Sequence, residues 1–230
     1  MWIKYIFDRV VSLVGLLLIW PLLLVLVLMI RRSMPGAPAI FKQQRVGKDG
    51  RLFTMYKFRT MVPHHSGSSV SVAGEDRITP LGKTLRRYKL DELPELWNIL
   101  IGDMSFVGPR PDVPGYADKL EGADRDVLKL RPGITGPATL KYRVEDEMIA
   151  GFVADIKAGR KVELGNAVLP DNVNQMSDQE LAVWYNDNVI YPDKVRLNKY
   201  YCEHYSFLKD IEMIFATVLG FKVKFAGEEV

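Results

Sequence analysis

The sequence has few of the residues that form covalent cross-links or zinc sites. Its 230 residues include one cysteine, Cys202, so an intrachain disulfide is excluded. The three histidines lack the spacing of a zinc motif, and two of them, His64 and His65, lie in a stretch rich in serine and glycine. We interpret these two as solvated loop residues, and the single cysteine fits a reducing compartment.

Several common catalytic and binding motifs are also missing. The sequence has no P-loop, no dinucleotide-binding fingerprint and no Gly-x-Ser-x-Gly nucleophile elbow. The net charge is only +3, whereas nucleic-acid-binding domains usually carry a stronger basic excess. ATP-dependent chemistry, acyl transfer and nucleic-acid binding are therefore disfavoured.

A long apolar run lies near the start of the chain. Residues 10–30 contain no charged side chain, and a helix of that length just crosses a hydrocarbon core of about 30 Å. Basic residues flank the run on both sides, among them Arg9 and Arg31, and each flank favours the cytoplasmic side. Because Pro21 kinks a helix in mid-run, we favour a re-entrant helix, with Asp8 and Arg9 in the headgroup region. A full span and a cleaved signal peptide are the alternatives.

Residues Phe41–Met61 predict a β-hairpin. Asp49 and Gly50 form a strong turn signal between two strand-like segments. Alternation along the second strand puts Lys57 and Arg59 on one face. Such a basic face is often merely solvated, so its meaning depends on what lies near it.

Two adjacent carboxylates, Asp91 and Glu92, follow a basic run that includes Arg86. Pro94 marks the start of a helix that ends near Gly102, because proline is accepted only in the first turn. Asp91 is therefore predicted at or next to the N-cap, where free N–H groups stabilise negative charge and attract phosphate. A purely structural helix cap is the alternative interpretation.

Two further loops each hold an arginine among prolines and glycines, Arg110 at 108–111 and Arg131 at 131–137. Arginine matches phosphate oxygens bidentately. A carboxylate pair among such cations is able to hold a divalent metal against a phosphate, as phosphoryl transfer requires. A patch for anionic lipid headgroups is the alternative. The candidate phosphate-binding residues are Lys57, Arg59, Arg86, Arg110 and Arg131.

Five motifs come in a characteristic order: FKQQRVG at 41–47, YKFRTM at 56–61, LDELPELWN at 90–98, GDMSFVGPRP at 102–111 and RPGITG at 131–136. In this order they resemble the bacterial sugar transferases, the monotopic phosphoglycosyl transferases. The resemblance covers roughly residues 1–225 and is specific because several long motifs agree. It departs from the common pattern at Trp20, Glu95 and residues 137–139.

The resemblance implies a reaction and roles for residues. A sugar-1-phosphate would pass from a UDP-sugar to polyprenyl phosphate, with Mg²⁺, through a covalent phosphosugar on Asp91, which would also bind the metal. Glu92 would be its partner, as a base or a positioning group. Lys57, Arg86 and Arg110 match phosphate-binding positions of the family, and Arg131 is a weaker match.

We therefore predict a predominantly helical α+β fold. Residues 1–33 would form a re-entrant membrane helix broken at Trp20 and Pro21. Residues 34–230 would form a compact cytoplasmic catalytic domain with the small β-hairpin and interfacial amphipathic helices. The helix after Pro94 would lie either in the core or in the membrane interface with Trp97 at headgroup depth, and the amphipathic segment Phe207–Leu219 would serve the core or a dimer. The resemblance suggests the small, catalytic-domain-only form, at the cytoplasmic face of the bacterial inner membrane, starting a surface glycan such as an exopolysaccharide.

The expected partners are the UDP-sugar, polyprenyl phosphate and membrane lipids, and not nucleic acid; a homodimer is left open. A competing hypothesis is a non-catalytic peripheral scaffold that binds anionic lipid through its basic patch. That hypothesis predicts that Asp91→Asn leaves function intact.

Overall fold

A computed structural model of the chain describes residues 1–62, 78–165 and 167–230. The histidine pair, His64 and His65, lies outside these residues. The structure is mostly helical with small two-stranded sheets, which confirms the predicted class at that level. The helices are α1 (Trp2–Ser33), α2 (Pro80–Arg87), α3 (Glu95–Ile101), α4 (Pro137–Lys141), α5 (Glu145–Lys157), α6 (Asp178–Tyr185), α7 (Tyr191–Glu203) and α8 (Phe207–Leu219). The strands are β1 (Ile40–Val46), β2 (Leu52–Phe58), β3 (Ser105–Val107), β4 (Gly133–Thr135), β5 (Lys224–Phe225) and β6 (Glu228–Glu229).

Strands β1 and β2 form the predicted hairpin. They pair antiparallel, and Asp49 and Gly50 in the connection both have positive φ, 59° and 77°, as a tight hairpin turn requires. Met55 of β2 packs with α3 on one face, and Phe58 packs with α1 on the other. The hairpin therefore lies between the apolar N-terminal helix and the segment that carries the two acids.

Helix α1 continues through Pro21, so Trp20 and Pro21 both lie inside the helix and re-entry stays a prediction. Within the described ranges, α1 is the one helix long and apolar enough to cross a membrane. Its buried side chains recur on one stripe near both ends, at Lys4, Asp8, Ser12, Leu26 and Ile30. Both ends are therefore held by the rest of the chain, whereas the middle of α1 exposes leucine, valine and tryptophan side chains.

Two charged side chains fix the start of α1. Asp8 accepts hydrogen bonds from Ser105 Oγ at 2.7 Å and from the Phe106 N–H at 3.2 Å. Lys4 Nζ donates to Asp210 of α8 at 2.6 Å. Asp8 is 1% exposed, so protein rather than lipid headgroups surrounds its side chain, and its depth at the headgroup level stays a prediction. Its charge is accommodated inside the protein because hydrogen bonds replace its hydration.

Strands β3 and β4 pair in parallel and bring the two arginine loops together. A Cβ on Gly108 would lie 2.4 Å from the Arg131 carbonyl oxygen, and one on Gly133 would lie 2.2 Å from Gly108 N. A Cβ on Gly136 would lie 2.5 Å from the Gly108 carbonyl oxygen. Because the loops touch through bare backbone, the segments that carry Arg110 and Arg131 are fixed relative to each other.

Helix α8 has the predicted bounds and two different faces. Met213 and Ala216 are fully buried in the largest core cluster, which also draws on α4 to α7. Leu208, Phe215 and Val218 lie on the outer side and are mostly exposed. The helix is therefore amphipathic only in part, with apolar side chains on both the inner and the outer face.

Candidate active site

The two acids lie in a short 3-10 turn, Leu90–Glu92, that leads into α3. Lys89 precedes the turn with a φ of 55°, a left-handed conformation that costs a non-glycine residue about 1 kcal/mol or more. The N-cap position of α3 is Pro94, not Asp91. The predicted N-cap role of Asp91 is therefore wrong: the chain takes a separate turn before the helix begins, and this turn sets the direction of the acids.

Helix α2 holds Arg86 beside this turn. Thr79 caps α2 by accepting a hydrogen bond from the Gly82 N–H at 2.9 Å, and Pro80 occupies the first helical position. A Cβ on Gly82 would lie 2.0 Å from the Thr60 carbonyl oxygen. Arg86 Nε donates to Thr60 Oγ1 at 3.2 Å. The close approach of the backbone at Gly82 therefore places the Arg86 guanidinium near the two acids, Asp91 and Glu92, which we call the dyad.

Asn98 joins α3 to β2. Its side-chain oxygen accepts from the Tyr56 N–H at 3.1 Å, and its amide nitrogen donates to the Thr54 carbonyl at 2.7 Å. Asn98 is fully buried, so losing either bond would leave a buried polar group unsatisfied. This contact fixes the register between α3 and the strand that carries Lys57.

Glu92 is held by two cations. Its Oε1 accepts from Lys57 Nζ at 3.0 Å and from Arg110 Nη2 at 2.8 Å. Burial opposes ionisation of Glu92, but Arg110 and Lys57 outweigh it and hold the pKa of Glu92 below its usual value of 4.5. Glu92 is therefore an ionised, well-positioned group.

A third carboxylate, Glu95, shares Lys57 with Glu92. Lys57 Nζ lies 3.1 Å from Glu95 Oε1, as an ion pair whose angle does not make a hydrogen bond. Burial raises the pKa of Glu95 above 4.5, and the charge of Glu92 adds to that effect against the attraction of Lys57. The sequence analysis noted Glu95 only as a departure from a common glutamine and did not predict it at the site. Its spacing of three residues from Glu92 was the signal that could have placed it there, since residues at that spacing share a helical face.

The surroundings of Asp91 differ from those of Glu92. It is 8% exposed, and its Oδ1 has no hydrogen-bond partner among the described residues. Burial and the neighbouring charge of Glu92 raise the pKa of Asp91, whereas Lys57 and Arg86 lower it. Asp91 therefore has a buried carboxylate oxygen that no described residue satisfies.

Three of the five predicted cations meet at the dyad: Lys57, Arg86 and Arg110. Arg59 donates to the Pro38 carbonyl at 2.8 Å, and its guanidinium lies over the Phe41 ring. Phe41 pairs with Lys57 across the hairpin, so Arg59 shares the face of Lys57, as predicted.

Arg131 lies elsewhere. Its guanidinium carbon is 4.0 Å from the centroid of the Tyr5 ring, beside Gly102 at the far end of α3. No contact joins Arg131 to Asp91 or Glu92 in the part of the chain that the structure describes. Its predicted role at the substrate phosphate stays a prediction without a contact to support it.

The polar residues of α1 have a role that the sequence-based reasoning missed. Lys4, Asp8 and Ser12 recur every four residues on an otherwise apolar helix, and this periodicity predicts one polar contact face. The structure uses that face to bind β3 and α8.

The predicted Mg²⁺ would need ligands at this site. No group of three or more acidic, histidine or cysteine side chains forms a metal site within residues 1–62, 78–165 and 167–230. The partnerless Oδ1 of Asp91 fits a cation that would take its other ligands from substrate phosphates and water, as Mg²⁺ commonly does.

Two surface grooves lined by described residues lie away from Asp91 and Glu92. One of about 550 Å³ is lined by residues of α7 with Leu120, Asp124 and Ala226. The two acids lie near the end of α1, because Leu90 and Leu93 on either side of them pack in the same cluster as Ile30.

Comparison with known proteins gives a consistent picture. The family model described as bacterial sugar transferase matches residues 1–165. The chain is 39% identical over 139 residues to the "UDP-glucose:undecaprenyl-phosphate glucose-1-phosphate transferase" of Xanthomonas campestris pv. campestris, which covers 58% of this chain and 28% of that protein. It is 35% identical over 161 residues to the "UDP-N-acetylgalactosamine-undecaprenyl-phosphate N-acetylgalactosaminephosphotransferase" of Aeromonas hydrophila. That alignment covers 66% of this chain and 35% of the relative.

A third relative is the "Undecaprenyl-phosphate galactose phosphotransferase" of Salmonella typhimurium, 40% identical over 154 residues, covering 58% of this chain and 31% of that protein. The chain thus spans only about a third of the length of these three relatives. Their names share the undecaprenyl-phosphate acceptor and differ in the sugar.

Proposed function

The chain belongs to the bacterial sugar transferase family, and we propose that it transfers a sugar-1-phosphate from a UDP-sugar to polyprenyl phosphate at the cytoplasmic face of the inner membrane. The names of its relatives support the acceptor and the type of reaction. One observation carries the assignment of roles: Glu92 is held by Lys57 and Arg110, whereas Asp91 keeps a buried oxygen without a partner in the described structure.

Asp91 is the nucleophile in this proposal. Its carboxylate oxygen attacks the phosphorus attached to the sugar, the bond from that phosphorus to the bridging oxygen breaks, and UMP leaves with the bridging oxygen. A phosphate oxygen of polyprenyl phosphate then attacks the same phosphorus and releases Asp91. Two displacements at one phosphorus make the reaction ping-pong.

The cations divide the work of binding phosphate. Lys57 and Arg110 orient Glu92 through their ion pairs with it, and in this proposal their remaining N–H donors bind the substrate phosphates. Arg86 is close enough to lower the pKa of Asp91, so it also favours an anionic phosphate there. The positive charges offset the charge that develops during transfer, which is the main catalytic contribution expected for phosphoryl chemistry. Glu92 keeps the two cations in place.

Mg²⁺ fits this site through Asp91. When bound there and to the substrate phosphates, it would neutralise part of their charge. The raised pKa of Asp91 has a consequence for the free protein. Because a protonated acid is a poor nucleophile, we expect the rate to fall as the pH drops through the pKa of Asp91.

Features of α1 and α8 support the proposed membrane placement. Both ends of α1 pack on residues 34–230, which supports entry and exit at the same face. The exposed apolar side chains of α8 include Leu208 and Val218. The start of α8 lies next to α1, because the rings of Phe7 and Phe207 contact edge to face with centroids 5.4 Å apart. We propose that α1 is re-entrant and that α8 lies in the interface beside it.

The covalent step is tested by mass spectrometry of the intact protein. The purified chain is exposed briefly to a panel of UDP-sugars with Mg²⁺ and without lipid acceptor. We expect an added sugar-phosphate that peptide mapping locates on Asp91. Adding polyprenyl phosphate afterwards should remove it, because the second displacement then becomes possible.

Two variants make the result decisive. Asp91→Asn should abolish both the adduct and sugar transfer, whereas Glu92→Gln should slow its formation without moving its position. A chain that turns over without ever carrying the adduct, together with an active Asp91→Asn variant, would exclude the covalent mechanism. Retained biological function in Asp91→Asn without any transfer would favour the scaffold hypothesis.

The topology is tested by labelling. Single cysteines at Ile3 and Arg32, in a Cys202→Ser background, mark the two ends of α1, and both positions are exposed. A membrane-impermeant thiol reagent should label both only when it has access to the cytoplasmic face. Labelling of the two positions from opposite faces would mean that α1 spans the bilayer.

A further inference from the structure

Two arginines meet at the end of α3 opposite the dyad. The point that a Cβ would occupy on Gly102 lies 2.6 Å from Arg9 Nη2 and 3.4 Å from Arg131 Nη2. The Arg131 guanidinium is held in position by the Tyr5 ring, 4.0 Å away. Arg9 of α1 and Arg131 of the second arginine loop therefore present two guanidinium groups on the same side of one glycine.

These two cations have no anion paired directly with them among the described residues, although the charge of Asp8 attracts Arg131 from a distance. Neither Arg9 nor Arg131 forms an ion pair or a side-chain hydrogen bond within the described ranges, and Arg131 Nη1 is buried without any partner. The nearby carboxylate of Asp8 already accepts from Ser105 and Phe106. Like charges at close range repel, and buried donors without a partner are rare in native proteins. The arrangement therefore fits a site for an external anion.

The surroundings indicate where that anion would come from. Ile6 and Val10 on α1 and Ile101 on α3 are exposed apolar side chains. Arg9 directly precedes the uncharged run of α1, so it would lie at the depth where apolar chains give way to headgroups. Arginine commonly snorkels to that level.

We propose that Arg9 and Arg131 bind the phosphate of an anionic membrane phospholipid. The site is separate from the reaction centre, because the seven residues of α3 set it about 10 Å along the helix from the dyad. Two guanidinium groups suit a phosphodiester, which each can contact bidentately. The inference rests on the membrane placement proposed above, although not on the identity of the sugar or on the covalent step.

The test measures lipid retention by the full-length protein. Native mass spectrometry counts the phosphatidylglycerol that stays bound to protein released from nanodiscs of phosphatidylglycerol and phosphatidylcholine. Arg9→Gln and Arg131→Gln should each weaken retention about tenfold, since each removes charge-assisted hydrogen bonds. Arg31→Gln is the matched control, because it removes the same charge from the other end of α1, and it should change retention little.

Two further measurements distinguish a phospholipid site from a purely structural arginine and from a general phosphate site. The shift in unfolding temperature on adding phosphatidylglycerol should shrink in Arg9→Gln and Arg131→Gln; an unchanged shift with a lower starting temperature would mean that Arg131 is only structural and would overturn the proposal. Complete displacement of the lipid by excess inorganic phosphate would also overturn it, by showing a general phosphate site. Flotation of the unmodified protein on phosphatidylcholine vesicles tests membrane placement independently, so its failure is distinguishable from failure of the lipid site.

Discussion

Replacing Glu92 or Glu95 with glutamine should change the stability of the protein in opposite directions, although the substitution is the same and nearly isosteric. Glu92→Gln removes a charge that holds Lys57 at 3.0 Å and Arg110 at 2.8 Å. Charge-assisted hydrogen bonds contribute about 1.5–3 kcal/mol each, but Arg110 is 42% exposed and its share is screened. We expect a loss of about 2 kcal/mol, which lowers the unfolding midpoint of a chain of this length by roughly 4–8 °C.

Glu95→Gln should stabilise the protein at neutral pH. Glu95 is 2% exposed, and its Oε1 has no hydrogen-bond partner among the described residues, so its charge is poorly compensated. Replacing it with a neutral amide removes that cost, and we expect a gain of about 1 kcal/mol, or roughly 2–4 °C.

The pH dependence of the two effects differs in sign. The lowered pKa of Glu92 stabilises the folded state above pH 4.5, and this contribution is lost as the pH falls below that value. The raised pKa of Glu95 destabilises the folded state as the pH rises above 4.5. The gain in Glu95→Gln should therefore disappear toward pH 4.5 and grow toward neutrality.

The assay is thermal unfolding of the chain in detergent, monitored by tryptophan fluorescence at several pH values between 4.5 and neutrality. If both variants shift the midpoint in the same direction at neutral pH, the two carboxylates do not share Lys57 in the way described.

Two further predictions concern the contacts that position the site. Gly82→Ala puts a Cβ 2.0 Å from the Thr60 carbonyl, so α2 must shift; we expect a midpoint lower by roughly 4 °C or more and loss of sugar transfer in a radiolabel assay. Gly151→Ala is its control, because it lies in α5 with nothing within 4 Å, and it should be neutral or stabilising. Lys4→Met leaves Asp210 buried without its cation and should cost about 3 kcal/mol. Adding Asp210→Asn should recover part of that loss in chemical unfolding, and no recovery would contradict the ion pair.

Local features of the fold were predictable because neighbouring residues determine them. Asp49 and Gly50 set the hairpin turn, Thr79 and Pro80 set the start of α2, and Gly102 ends α3. Each depends on one backbone conformation that its residue type favours or permits.

The features that the sequence did not reveal lie where local propensity gives no signal or where the contacts are distant in sequence. The left-handed Lys89 begins the separate turn that holds the acids ahead of α3, and no local propensity predicts a lysine there. Asp8 is buried because Ser105 and Phe106 come to it across the fold. For the same reason, sequence order did not reveal that Arg131 lies at the other end of α3 from the dyad.

The glycine contact between β3 and β4 limits how the two arginine loops can be exchanged with those of relatives. Because Gly108, Gly133 and Gly136 bring backbone against backbone, no side chain between the two arginine loops can repack after an exchange. A loop from a relative would bring its own backbone path against an unchanged neighbour. Chimeras should therefore exchange the segments around Arg110 and Arg131 as a single cassette, and swapping either one alone should yield unstable protein.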